Sequence, residues 1–310
     1  MKRSATLLPI LALLAGTCAG NAALLIHEDY DYALTDGTTM AGVATSATGF
    51  TGNYAVGGTN GSSVYATTGL TFGANYLPVS GGAARLSASV TGSSTSSILG
   101  ATIDLGAAQT GTLWSSYLVN FTSKIPLGGP AGATGQARVS DLQVSGSNNR
   151  MNAIADSGST LGTGISYSGS GATTAGGTTL TVGSTYLMLS QFNNVGTAGG
   201  GTATLWVFNV AGYDDWLNLG GGLEANLGTY DLTSQSHTFT TQADFAGGDF
   251  YQFAVSNTSD STTVQTVVYD ELRWVTTLGD VVSVPEPSTV ASVIGGLAML
   301  VLLRRRPLAC

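Results

Sequence analysis

The chain has almost no cysteine, few cations and few imidazoles, and each shortage removes a class of chemistry. Cysteine occurs at Cys18 and Cys310 only. Both lie in end segments expected to be cut away, so the mature body would carry no thiol. That excludes a cysteine nucleophile, a Cys-ligated zinc and a disulfide framework, which a body of this size can do without. Two histidines, His27 and His237, exclude a three-His metal centre. Between residues 23 and 283 five basic residues, Arg85, Lys124, Arg138, Arg150 and Arg273, face 17 acidic ones, a formal charge of about -12. Such a surface repels phosphate backbones, so no nucleic-acid partner is expected. The glycine-rich runs GGTNGSSVYATTG and GSGATTAGG lack the strand-to-helix setting of a phosphate loop and read as turns.

What is abundant is glycine, at 44 of 310 residues, interleaved with β-branched and aromatic runs. In TLWSSYLVNFTS, Leu113, Tyr117, Val119 and Phe121 fall on one face of a strand, with Trp114, Ser116, Leu118 and Asn120 opposite. Similar runs span 24–30, 84–90, 185–192, 203–210, 251–256 and 264–275. Clusters such as Gly57-Gly58-Thr59-Asn60-Gly61 and Gly199-Gly200-Gly201 punctuate them. Short strands separated by glycine turns, with helix nearly absent before Ser288, predict an all-β, antiparallel sandwich or barrel formed by one domain over 23–283.

The two ends differ from this body. Met1-Lys2-Arg3, an apolar stretch from Ala5 to Ala15, and small residues at Gly20 and Ala22 follow the order of a secretory signal peptide, expected to be cut after Ala22. Leu14 to Cys18 approaches a lipobox, but Thr17 occupies the place that wants Gly or Ala. At the other end, Pro285 and Pro287 fix φ, withhold two backbone donors and hold Val284 and Glu286 extended. The uncharged run from Ser288 to Leu303, 16 residues, reaches roughly 24 Å as a helix against a bilayer core of about 30 Å. Arg304, Arg305 and Arg306 are its positive-inside flank.

Val284-Pro285-Glu286-Pro287-Ser288-Thr289, the short apolar helix and the terminal arginines together resemble the PEP-CTERM sorting signal of exosortase substrates, over 284–310. That resemblance implies export by the Sec machinery and signal peptidase, and transient anchoring in the inner membrane by the C-terminal helix. Cleavage near the motif by a membrane-embedded cysteine transpeptidase would then deliver the protein to the surface or extracellular matrix of a Gram-negative, exopolysaccharide-making bacterium. Residues 284–289 would be the recognition motif, and the arginines the stop-transfer flank.

The order of features in the body, from DYDYALTDGTTMAG to VVYDELRWVTTLGDV, resembles LamG-like, concanavalin-like jelly rolls, in which a late strand carries Asp-Glu-Leu-Arg, here Asp270 to Arg273. Jelly-roll glycosidases usually carry Glu-x-Asp-x-x-Glu on one strand. Nothing here matches it, and Glu28, Glu224, Glu271 and Glu286 are scattered. Three local groups remain candidates. Asp29 and Asp31, on one face of a continuing strand, would suit calcium or an acid and base pair, against a polar strand end. Tyr213, Asp214, Asp215 and Trp216 read as a loop able to stack and hydrogen-bond a glycan, against a core tryptophan beside two solvated acids. Asp270, Glu271 and Arg273 read as an ion pair locking the closing strand, against part of a sugar site. Trp114, Trp206 and Trp274 read as core.

These expectations combine into a non-enzymatic exported surface protein associated with exopolysaccharide. The alternative is a secreted glycan-binding or glycan-active enzyme using an unrecognised carboxylate pair.

Overall fold

The computed structural model describes residues 24–58, 60–88, 95–105, 107–122, 136–143, 150–156, 162–167, 180–196, 198–241, 250–257 and 265–282. The segments expected to be a signal peptide, 1–22, and a sorting motif, 284–289, together with the apolar run and Arg304 to Arg306, lie outside them. Among the described residues no helix is long and apolar enough to cross a membrane.

The strands are β1 (Leu24–Glu28), β2 (Phe50–Gly57), β3 (Gly61–Ala66), β4 (Ala83–Ala88), β5 (Thr95–Ile103), β6 (Gly111–Phe121) and β7 (Gln136–Gln143). They continue with β8 (Arg150–Asp156), β9 (Gly162–Tyr167), β10 (Thr185–Val195), β11 (Ala198–Phe208), β12 (Thr233–Thr241), β13 (Phe250–Asn257) and β14 (Gln265–Val275). Among the described residues three short α-helices accompany them, α1 (Val210–Asn218) and α2 (Leu227–Tyr230) between β11 and β12 and α3 (Leu278–Val281) after β14. The expectation of almost no helix therefore fails at α1, whose period-3.6 pattern is only two turns long.

The strands form two antiparallel sheets, an all-β, jelly-roll sandwich. One sheet has eight strands, β12-β11-β10-β6-β14-β4-β3 with β1 also on β14, and the other six, β2-β5-β13-β7-β8-β9. Pairing is strongly non-local: β14 lies between β6 and β4, and β13 between β5 and β7.

The alternation expected of β6 decides where the core sits. Leu113, Tyr117, Val119 and Phe121 face the other sheet and join Tyr186, Met188, Leu205, Val207, Tyr269 and Trp274 in the main core. Trp114 and Leu118 point outward, yet they too are buried, with Leu187, Leu189, Phe208, Tyr213, Trp216 and Val281. The larger sheet is thus covered on both faces along part of its length. α1, the 70–79 segment and α3 form the outer layer, which is why β6 and β10 read as nearly continuous apolar runs.

Candidate functional site

β4 and β1 share one edge of β14 end to end. β4 pairs with Gln265 to Tyr269 and β1 with Leu272 to Val275. At the handover lie Asp270 and Glu271, where the register with β6 also shifts. Glu271 takes a left-handed backbone, φ 53°, and its N–H donates to Asp270 Oδ1 at 2.8 Å. The facing end of β1 repeats the device: Tyr30, at φ 52°, donates its N–H to Glu28 Oε1 at 2.6 Å. In each case a buried carboxylate holds a strained residue that redirects the chain.

These acids are tied to backbone and side-chain donors. Asp270 Oδ2 also accepts from Leu70 N at 2.7 Å. Burial pushes its carboxyl up to about 9, against the lowering effect of those N–H groups. Glu271 is fully buried, accepts from Ser80 N at 3.1 Å and pairs with Arg273 at 2.9 Å, with His27 Nε2 at 3.5 Å. The lock expected of Asp270, Glu271 and Arg273 is what the geometry supplies. Glu28, 1 % exposed, accepts from the hydroxyls of Tyr32 and Tyr54, and burial raises its carboxyl despite them. Glycosidic chemistry needs two carboxyl groups flanking an accessible sugar. Glu28, Asp270 and Glu271 are instead buried, Glu28 against the Tyr32 and Tyr54 hydroxyls, Asp270 against Leu70 N and Glu271 against Ser80 N.

Two candidates need correction. β1 ends at Glu28 and Tyr30 turns the chain, so Asp29 and Asp31 do not alternate along a continuing strand. Asp29 Oδ1 accepts from Asp31 N at 3.3 Å and Oδ2 from Ser80 Oγ at 3.1 Å. Among the described residues no three His, Cys, Asp or Glu are grouped for a metal ion. The second correction concerns Tyr213-Asp214-Asp215-Trp216, which is helix, not loop. Tyr213 and Trp216 are 1 % and 0 % exposed, packed against Phe72, Tyr76 and Phe208, and the indole N–H of Trp216 donates to Leu223 O at 2.9 Å. Neither ring is available to stack on a glycan. Asp214 accepts from Asn75 Nδ2 at 2.9 Å, and Asp215 is exposed.

The accessible polar surface lies beyond the helical layer, on the outer face of β6, β10, β11 and β12. Register places Ser236, Thr204, Gln191 and Trp114 in one row, and Ser234, Trp206, Leu189 and Ser116 in the next. Thr238, Thr202, Asn193 and Thr112 continue the face. A chain of hydrogen bonds crosses it: Thr112 Oγ1 to Asn193 Oδ1 at 3.0 Å, Asn193 Nδ2 to Gln191 Oε1 at 2.8 Å, and Gln191 Nε2 to Glu224 Oε1 at 2.6 Å. Thr112, Ser236, Thr238 and Glu224 are exposed, and Asn193, Thr202, Thr204 and Trp206 half-buried. Trp114 and Trp274 are core as expected, but Trp206 only leans on Trp114, centroids 5.9 Å apart and nearly parallel. The alternation Ser234, Ser236, Thr238 was the one available sequence signal for this face.

No family model matches the chain, and no curated protein sequence matches it. Among solved structures it is similar to an endo-β-1,4-glucuronan lyase from the fungus Trichoderma reesei, with a TM-score of 0.45 at 10% identity, covering 72% of this chain and 90% of that one. It is also similar to domain 4 of an extracellular arabinanase from Geobacillus stearothermophilus, solved with arabinotriose, with a TM-score of 0.40 at 13% identity over 84% and 97% of the two chains. Peanut lectin follows with a TM-score of 0.36 at 10% identity over 73% and 98%.

Proposed function

We propose that the chain is a non-enzymatic protein exported to the cell surface or extracellular matrix, sorted there by an exosortase and associated with exopolysaccharide through the outer face of its larger sheet. The sorting half of this reading rests on Val284 to Thr289, the apolar run and Arg304 to Arg306. The observation that carries the other half is the hydrogen-bonded row Thr112, Asn193, Gln191 and Glu224 beside half-exposed Trp206. Hydroxyls and amides on neighbouring strands match the donor and acceptor mixture of sugar hydroxyls, and an aromatic face suits pyranose C–H groups.

The enzymatic alternative has one feature in its favour, a carboxyl at Asp270 held protonated near neutral pH as a general acid would be. Its complete burial beneath Leu70 argues for a structural role. The test is affinity electrophoresis of the exported protein through gels holding its host's exopolysaccharide, with reducing-end release assayed in parallel. Retardation without release is the expected result. Steady release of new reducing ends, abolished by Asp270→Asn in a variant that still melts cooperatively, would overturn the non-enzymatic reading.

A further inference from the structure

At the margin of the open face, α2 passes over β11 and β12 and leaves a small polar corner. Trp206 Nε1 and Ser234 Oγ both face the bare Cα of Gly228: a Cβ built there would lie 3.8 Å from the first and 4.0 Å from the second. The corner is therefore open enough for a methyl-sized group. Asp231 follows α2 directly. Its Oδ2 is buried without a hydrogen-bond partner, and burial pushes the carboxyl up against the easing effect of the Ser234 hydroxyl and of its own backbone N–H. An orphaned carboxylate oxygen is costly in a folded protein and marks a place where a donor is wanted. One face of the Trp206 ring is taken by Trp114, and the ring remains only half-buried.

Charge narrows the occupant. No lysine or arginine points outward from β10, β11 or β12 among the described residues, and Arg273, on the neighbouring β14, is engaged with Glu271. The groups that border the face, Glu224 and Asp231, are acidic. A uronate, sulfate or phosphate on this surface would meet repulsion with no counter-charge.

Resting on the polysaccharide association proposed above, we infer that this corner anchors an uncharged polysaccharide, Trp206 stacking against one pyranose ring while Asp231 accepts from, and the Trp206 indole N–H donates to, its hydroxyls. The polar row Thr238, Thr202, Asn193 and Thr112, beside Ser236 and Thr204, then lines the polymer's path across the sheet.

Affinity electrophoresis of the full exported protein tests this with hydroxyethylcellulose, galactomannan and dextran as neutral gels and polygalacturonate as the anionic one. We expect retardation by at least one neutral polymer and none by polygalacturonate. Trp206→Ala should weaken that retention by about tenfold or more, the equivalent of one good contact. Asp231→Asn should weaken it severalfold, and Trp206→Phe should restore part of the loss. Should Trp206→Ala fail to fold, Asp231→Asn carries the test, since it keeps the size and shape of the side chain and removes only its capacity to ionise. Polygalacturonate retarding the protein as strongly as any neutral polymer would overturn the neutral class while leaving the association standing. Retention by a neutral gel that neither variant weakens would overturn the corner. Passage unhindered through all gels, including the host's own polysaccharide, would overturn the association itself.

Discussion

Asp270 sits where β14 exchanges one partner strand for another, and its carboxyl is pushed up to about 9 by burial. The folded state therefore keeps a proton there that the unfolded chain, near its ordinary value of 3.8, releases. The stability this confers is complete below about pH 4 and is progressively lost as pH rises toward 9. Thermal melts between pH 5 and 9 should show stability falling with pH. Asp270→Asn, which cannot ionise, should flatten that slope even if it lowers stability at pH 5. An unchanged slope in the variant would locate the effect elsewhere. The neighbouring glycines complete the device. Gly81, at φ +70°, lies so close that a Cβ would come within 2.5 Å of Asp29 O and 2.7 Å of Asp31 N. None of this was legible in the sequence beyond the Asp-Glu-Leu-Arg run, because a carboxylate's meaning depends on the backbone N–H groups brought to it from Leu70 and Ser80, some 200 residues away.

At the scale of elements, α1 decides which part of the larger sheet is open. Its start is fixed by Asn209, whose side chain accepts from Gly212 N at 2.8 Å. Gly212 is required there, since a Cβ would collide with the carbonyl of Tyr230. Tyr213, Trp216 and Leu217 then fall on the buried face. Replacing the cap by Asn209→Ala should cost about 1 kcal/mol, lowering the melting temperature by about 2 to 4 °C. A scan of the variant checks this. β6 was legible as a strand because its β-branched and aromatic residues form a run bounded by turn signals, although packing on both faces leaves little polar alternation in it. α1 was not, because a glycine and two aspartates within nine residues match a turn as well as a helix. The strands β2 and β3, FTGNYAVG and GSSVYA, carry too few apolar residues for periodicity to mark them. The glycan contact expected on Tyr213 and Trp216 fails for a related reason: the outer layer closes over both rings and leaves Trp206 half-buried, a difference that the local sequence does not carry.

For the molecule as a whole, the sandwich accounts for how a thiol-free body holds together. Among the described residues the two larger apolar clusters, one between the sheets and one beneath α1, supply the cohesion that disulfides supply in smaller domains. The sorting reading makes its prediction at this scale. In the native host, Pro285→Ala combined with Pro287→Ala should leave an uncut, membrane-retained form, seen by fractionation and by mass spectrometry of the C-terminus. Trimming and release like the unaltered protein would show that the motif is not being read.

The last strand before Val282, β14, is not an edge strand. It is hydrogen-bonded to β6 along one side and to β4 and then β1 along the other. Any mechanical load entering through the residues after Val282 therefore falls first on α3, tucked over the sheet through the Ser116 hydroxyl's bond to Val281 O, and then on a strand gripped from both flanks. A pull on the chain beyond Val282 would thus meet resistance to peeling, because it acts on a strand held along both of its sides.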